Sequence, residues 1–136
     1  MKYKFLKHTA DIKFQAFGKN LEDLFSNAGL AMFSVMVDVK KIKTVKSIPI
    51  KCCASNIEEL LIEWLNSLLT QSSIKEMVFS KFEIKIKDNT LKGKAFGETL
   101  NIKKHSIKTE VKAATYSGLF IKKVNNNYIC QVVVDV

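Results

Sequence analysis

Arginine is missing altogether: all 22 basic residues are lysine, set against 13 aspartates and glutamates. Lysine is a compact point charge, whereas bidentate phosphate and base-edge recognition use the planar guanidinium fork. The net charge of +9 therefore argues for long-range attraction toward an RNA backbone or an RNA-laden partner, and against base-specific readout. Glycine is scarce as well. The five glycines, at 18, 29, 93, 97 and 118, never fall into G-x-G-x-x-G or G-x-x-x-x-G-K spacing, so neither common phosphate-cradling loop is encoded. No serine sits in a G-x-S-x-G setting and neither histidine lies at H-E-x-x-H spacing, which removes the common hydrolase signatures. The three cysteines, Cys52, Cys53 and Cys130, are odd in number and lack C-x-x-C spacing, so neither a disulfide framework nor a thiolate zinc site is expected. They read as buried free thiols, with the adjacent Cys52 and Cys53 on opposite faces of a strand. Long apolar runs are absent too. The longest, over residues 28–37, is interrupted by Gly29 and Ser34 and falls short of the roughly 20 residues a bilayer span requires. The N-terminus passes directly into an alternating pattern without a signal-peptide core, so a cytoplasmic protein is expected.

The chain does have ordinary globular composition, 47% apolar and 26% charged, over a length that suits one domain with one core, residues 1–136. Alternation around Tyr3 and Phe5, and again at Ile12, Phe14 and Ala16, predicts two strands. Asn20 caps a predicted helix over residues 21–36, with Leu24, Phe25, Ala28, Ala31, Met32 and Val35 on one face. Residues 43–54 read as a strand in which Pro49 requires an edge position or a strand start. Ser55 and Glu58 form a capping box for a second helix over residues 56–72, carrying Leu60, Leu61, Trp64, Leu65, Leu68 and Leu69. Two hairpins follow. Phe82, Ile84 and Ile86 alternate with charged residues up to a turn at 88–90, and residues 110–124 and 128–134 flank the Asn125-Asn126-Asn127 turn. The order predicts an α+β fold, a largely antiparallel sheet with two helices packed on one side as a two-layer sandwich. The lysine-alternating strand 81–87 reads as a solvated face and not an RNA groove, because no exposed aromatic accompanies it.

Chemistry is left to carboxylates at the ends of elements. Asp11 stands at the mouth of a strand after His8 and Thr9, Asp38 ends the first helix, and Asp135 follows Val134 at the end of the last strand. Hard divalent cations take oxygen ligands, and two aspartates with a main-chain carbonyl and waters would suffice. A capping or solvated role is the simpler reading of each aspartate, and a hydrogen-bonded structural role that of His8 and His105.

A more specific pattern joins these residues. His8-Thr-Ala-Asp11-Ile12, Ala28-Gly-Leu-Ala-Met-Phe-Ser-Val-Met-Val-Asp38, Leu60-Leu-Ile-Glu-Trp-Leu-Asn66, Gly97-Glu98 with His105, Glu110-Val-Lys-Ala-Ala-Thr-Tyr116 and the terminal Val132-Val-Val-Asp135-Val136 occur in order. Together they resemble the archease family from residue 3 to 136. The resemblance implies a non-catalytic accessory protein that activates a GTP-dependent tRNA-splicing RNA ligase, promoting ligase guanylylation and multiple turnover. It further implies a divalent metal site, usually calcium with Mg or Mn as alternatives, formed by Asp11, Asp135 and the carbonyl of Val136. The expected partner is the ligase, with RNA reached only through it and no membrane. Two other readings compete: a chaperone-like modulator of an RNA methyltransferase, and a free-standing metal-dependent hydrolase using His8, Asp11 and Asp135.

Overall fold

The computed structural model describes residues 1–7 and 11–136; His8, Thr9 and Ala10 lie outside them. Strands β1 (Tyr3–Leu6) and β2 (Ile12–Gly18) lead into helix α1 (Leu21–Met36), and a single 3-10 turn (Val39–Lys41) precedes β3 (Lys46–Cys53). Helix α2 (Ile57–Lys75) is followed by the hairpin β4 (Met77–Lys87) and β5 (Thr90–Thr99). A one-turn helix α3 (Ile102–His105) then connects to the second hairpin, β6 (Ala113–Val124) and β7 (Asn127–Asp135).

The α+β class and the antiparallel pairing are as expected. The strands, however, are shared between two sheets, a four-stranded one ordered β1-β2-β7-β6 and a three-stranded one ordered β3-β5-β4. Both helices touch both sheets. On one side of α1, the Asn27 side chain donates to the Phe17 carbonyl of β2 at 2.6 Å. On the other, Phe33 meets Phe79 of β4 edge-on at 5.5 Å, and Gly29 leaves room for Leu68 and Phe82, whose atoms a Cβ would meet at 3.2 Å. A helix buried on opposite sides needs apolar residues nearly all round. Accordingly Leu24, Phe25, Ala28, Gly29, Ala31, Met32, Phe33 and Val35 are all buried. Trp64 locks the helices together, its indole N–H donating to the Phe25 carbonyl at 3.0 Å while its ring meets Phe82 edge-on.

Asparagine sets the local boundaries. Asn20 accepts from the Asp23 amide at 2.8 Å and Asn56 from the Glu59 amide at 2.9 Å. The cap of α2 is therefore Asn56 with Glu59, one residue beyond the expected Ser55 and Glu58 pair, and the helix runs on to Lys75. Both hairpin turns need two residues at positive φ, which asparagine and aspartate tolerate without glycine. Asp88 and Asn89 take 51° and 56°, and Asn125 and Asn126 take 50° and 67°. Pro49 lies on β3, an edge strand as its missing N–H requires.

The thiols are not uniformly buried. Cys130 is buried and pushed up to about 12, Cys52 is half-buried and pushed up to about 11, both mainly by desolvation. Cys53 is exposed, because it sits on the solvent side of edge strand β3. Among the described residues no helix is long and apolar enough to cross a membrane.

Candidate metal and partner site

The β2–β7 ladder brings the two ends of the chain together. Its last register pair is Ile12 with Val134, so Asp11 and Asp135 flank that pair at the next position. Ile12 and Val134 pack toward the core, and alternation along β7 turns Asp135 to the other face, where it is exposed, while Asp11 lies in the bend just before β2. Asp135 is held from its other flank as well: it pairs with Ala113 of β6, and its carbonyl accepts from the Lys112 amide at 2.8 Å. The start of β6 is itself pinned by Asn66 of α2, whose amide side chain imitates a neighbouring strand. Its Oδ1 accepts from the Ala114 amide at 2.9 Å and its Nδ2 donates to the Ala114 carbonyl at 3.2 Å. Val136, half-buried, follows Asp135 directly in the chain.

Two like charges at facing positions of a ladder repel, by about 0.2–1 kcal/mol. In a chain with 22 lysines, relief by an ammonium would be easy to arrange. Among the described residues neither aspartate has a salt-bridge partner; the two ion pairs present both belong to Glu98. A half-buried Asp11 and an exposed Asp135 beside the same rung, neither in an ion pair among the described residues, are the donor types that a hard cation takes. Among the described residues no group of three or more His, Cys, Asp or Glu side chains converges, so the set amounts to two carboxylates, a carbonyl and solvent. Asp11 also borders a cleft of about 460 Å³ lined by Phe5, Lys7, Ser34, Val35 and Lys108.

The remaining sequence candidates go elsewhere. Asp38 caps the 3-10 turn, accepting from the Lys40 amide at 3.1 Å, and its own amide donates to the His105 carbonyl at 2.9 Å. His105 is fully buried. Its Nδ1 accepts from the Asn101 amide at 2.9 Å, so the ring proton is on Nε2, which donates to Glu98 at 2.9 Å. His8 falls outside the described residues. Glu98 also accepts from Lys104 at 2.8 and 2.9 Å and from the Lys43 amide at 2.7 Å. This four-way knot ties β5, α3 and the approach to β3, and its role is structural.

Those contacts, Lys104 first, then the Lys43 amide and His105, hold the Glu98 carboxyl at about 2 instead of the ordinary 4.5. A carboxyl depressed on folding adds stability that is complete above the unfolded value and is lost as pH falls through the folded one. Thermal melts between about pH 5 and pH 2 should therefore drop steeply across that window, and Glu98→Gln should melt lower at neutral pH but flatten the acid drop. An equally steep drop in the variant would assign acid sensitivity to other groups.

Comparison with known proteins extends this picture over the whole chain. The model of the Archease protein family matches residues 3–136. The protein archease of Sulfolobus acidocaldarius is 42% identical over 137 residues, covering 99% of both chains. The solution structure of protein 1598 of Methanobacterium thermoautotrophicum superposes with a TM-score of 0.86 at 34% identity over 98% of each chain. The crystal structure of a Thermotoga maritima archease, described as a possible chaperone, shares the fold with a TM-score of 0.67 at 22% identity, over 98% of this chain and 96% of that one.

Proposed function

This chain belongs to the archease family, and from that premise we propose that it is an accessory factor for a GTP-dependent tRNA-splicing RNA ligase, promoting guanylylation and repeated turnover of the ligase. What supports the reading is the β2–β7 register, which sets Asp11 and Asp135 next to the Ile12–Val134 rung, with neither in an ion pair among the described residues. Asp11, Asp135 and the Val136 carbonyl would hold one divalent cation, calcium foremost with Mg or Mn as alternatives. When bound at a phosphoryl-transfer centre, such an ion neutralises charge on phosphate oxygens.

The chain's own residues supply position rather than chemistry. The paired strands fix the separation of the carboxylates, and Asn66 and the Lys112 amide hold the β6 flank, so no large rearrangement is needed to present the site to a partner. Both aspartates act as ligands and as bases in no step, and the partner enzyme provides the nucleophile.

Reconstitution tests this. With the cognate ligase, RNA ends and GTP, adding the chain should raise both the guanylylation rate and the number of turnovers, while the chain alone with RNA and Mg²⁺ or Mn²⁺ gives no product. Turnover by the chain alone would make it an enzyme. Stimulation of an RNA methyltransferase and not of the ligase would select the other accessory role.

A further inference from the structure

The solvent side of the second sheet carries lysines that sequence order disperses and strand register gathers. Ile48, Ile50, Leu91, Ala95, Phe82, Ile84 and Ile86 face the core, so their neighbours Lys51, Lys81, Lys85, Lys87, Lys92 and Lys94 all point the other way and are exposed. Lys51 is register partner to Lys92, and Lys92 to Lys85, so three ammonium groups lie in one row across all three strands. At about 4.8 Å between strands the row spans roughly 10 Å. Among the described residues none of the six is in an ion pair. On the three strands Glu83 is the carboxylate set among them; Glu22 of α1 reaches the β4 edge, accepting from the Ile86 amide at 3.4 Å, and Glu98 at the far end of β5 is engaged by Lys104 and His105. The ammonium of Lys81 lies 5.2 Å over the ring of half-buried Phe96, covering the aromatic on this face.

Like charges directly opposite across a sheet oppose folding, and three in a row do so twice. An external polyanion bound to the row would offset that cost. We propose that this face binds the phosphodiester backbone of RNA directly. Lysine without arginine suits this ligand, since ammonium groups on flexible stems attract phosphates without reading bases. Among the described residues, no large apolar side chain within β3, β4 or β5 is exposed for entering a membrane. The choice of RNA among polyanions rests on the ligase reading, which brings the chain to RNA ends, but the surface is distinct from the Asp11 and Asp135 pair on the first sheet.

The test needs no ligase. Binding of a fluorescein-labelled 20-nucleotide RNA to the full chain is followed by anisotropy in EDTA across a salt series, alongside thermal melts without RNA. Lys92→Glu should weaken binding about 10-fold and reduce the salt slope by about 1. The same change should raise Tm by about 3 °C, because a carboxylate between Lys51 and Lys85 turns two repulsions into attractions. Lys92→Gln should weaken binding less, and Lys19→Glu, an equal change in net charge in the turn between β2 and α1 and outside the three strands, should weaken it little. Unaltered binding by Lys92→Glu, equal loss from Lys19→Glu, or attachment to phosphatidylserine vesicles without RNA binding would each overturn the proposal. The ligase reading would then still stand or fall on its own assay.

Discussion

Asp11→Asn and Asp135→Asn are each expected to abolish stimulation of ligase guanylylation while leaving the fold intact. The argument is geometric. Each side chain supplies half of the charge at the end of the β2–β7 ladder, and a lone carboxylate with one carbonyl is a poor site for a hard cation. Changing residues that merely support a metal ligand costs about 10–100-fold in affinity, so loss of a ligand should cost at least about 100-fold. The stability readout separates this from simple misfolding. In EDTA either variant should melt at the wild-type temperature or slightly above it, because removing one of two facing negative charges relieves about 0.2–1 kcal/mol of repulsion. A variant that melted well below wild type without metal would assign the aspartate a structural role.

The second large effect is expected at Gly97. It lies on β5 where β4 is irregular, its register partner changing from Phe79 at this position to a shift before Lys81. A Cβ added there would overlap the carbonyl oxygen of Val78 and crowd the Phe79 Cα at 2.9 Å. Both obstacles involve backbone, which cannot rotate away as a side-chain tip can. Gly97→Ala should cost about 3 kcal/mol, the upper part of the overpacking range, and lower Tm by about 10 °C in melts followed by circular dichroism. Displacement of β5 would also pull Glu98 from Lys104 and His105, so the variant should lose part of the acid-dependent stability described above. Gly118, at φ +63° with only the Gln131 amide nearby, offers a contrast: there the strain is conformational, and a smaller loss is expected.

Alternation and turn chemistry made much of the fold legible. Phe82, Ile84 and Ile86 against Lys81, Glu83, Lys85 and Lys87 define a strand with one buried face, and paired Asn or Asp residues mark both hairpins. The cap of α2 was misplaced by one because Ser55 and Asn56 are nearly equal as N-caps, and the partial burial of Ile57 decides for Asn56. The division into two sheets was not legible. A period of two says which side chains point inward but not which strand lies alongside, and the broad apolar surface of α1 does not say which strands cover it. The four residues of α3 carry no period at all.

The site was legible as a set of residues and not as an arrangement. Spacing alone could not bring Asp11 near Asp135, 124 positions later, and the resemblance to a family was what joined them; the register of Ile12 with Val134 gives the physical link. The same limit concealed the lysine row. Lys51, Lys85 and Lys92 are unremarkable in sequence; strand 81–87 does present the expected solvated face, and only the register shows which lysines of β3 and β5 lie beside it.

Calorimetric titration of Ca²⁺ and of Mn²⁺ into the metal-free chain, without ligase or RNA, addresses the sharing of one cation by the two ends of the ladder. One saturable site per chain, accompanied by a rise in Tm and lost in the Asp11→Asn, Asp135→Asn double variant, is the expected result. Absence of saturable heat, or the same isotherm from wild type and double variant, would contradict it.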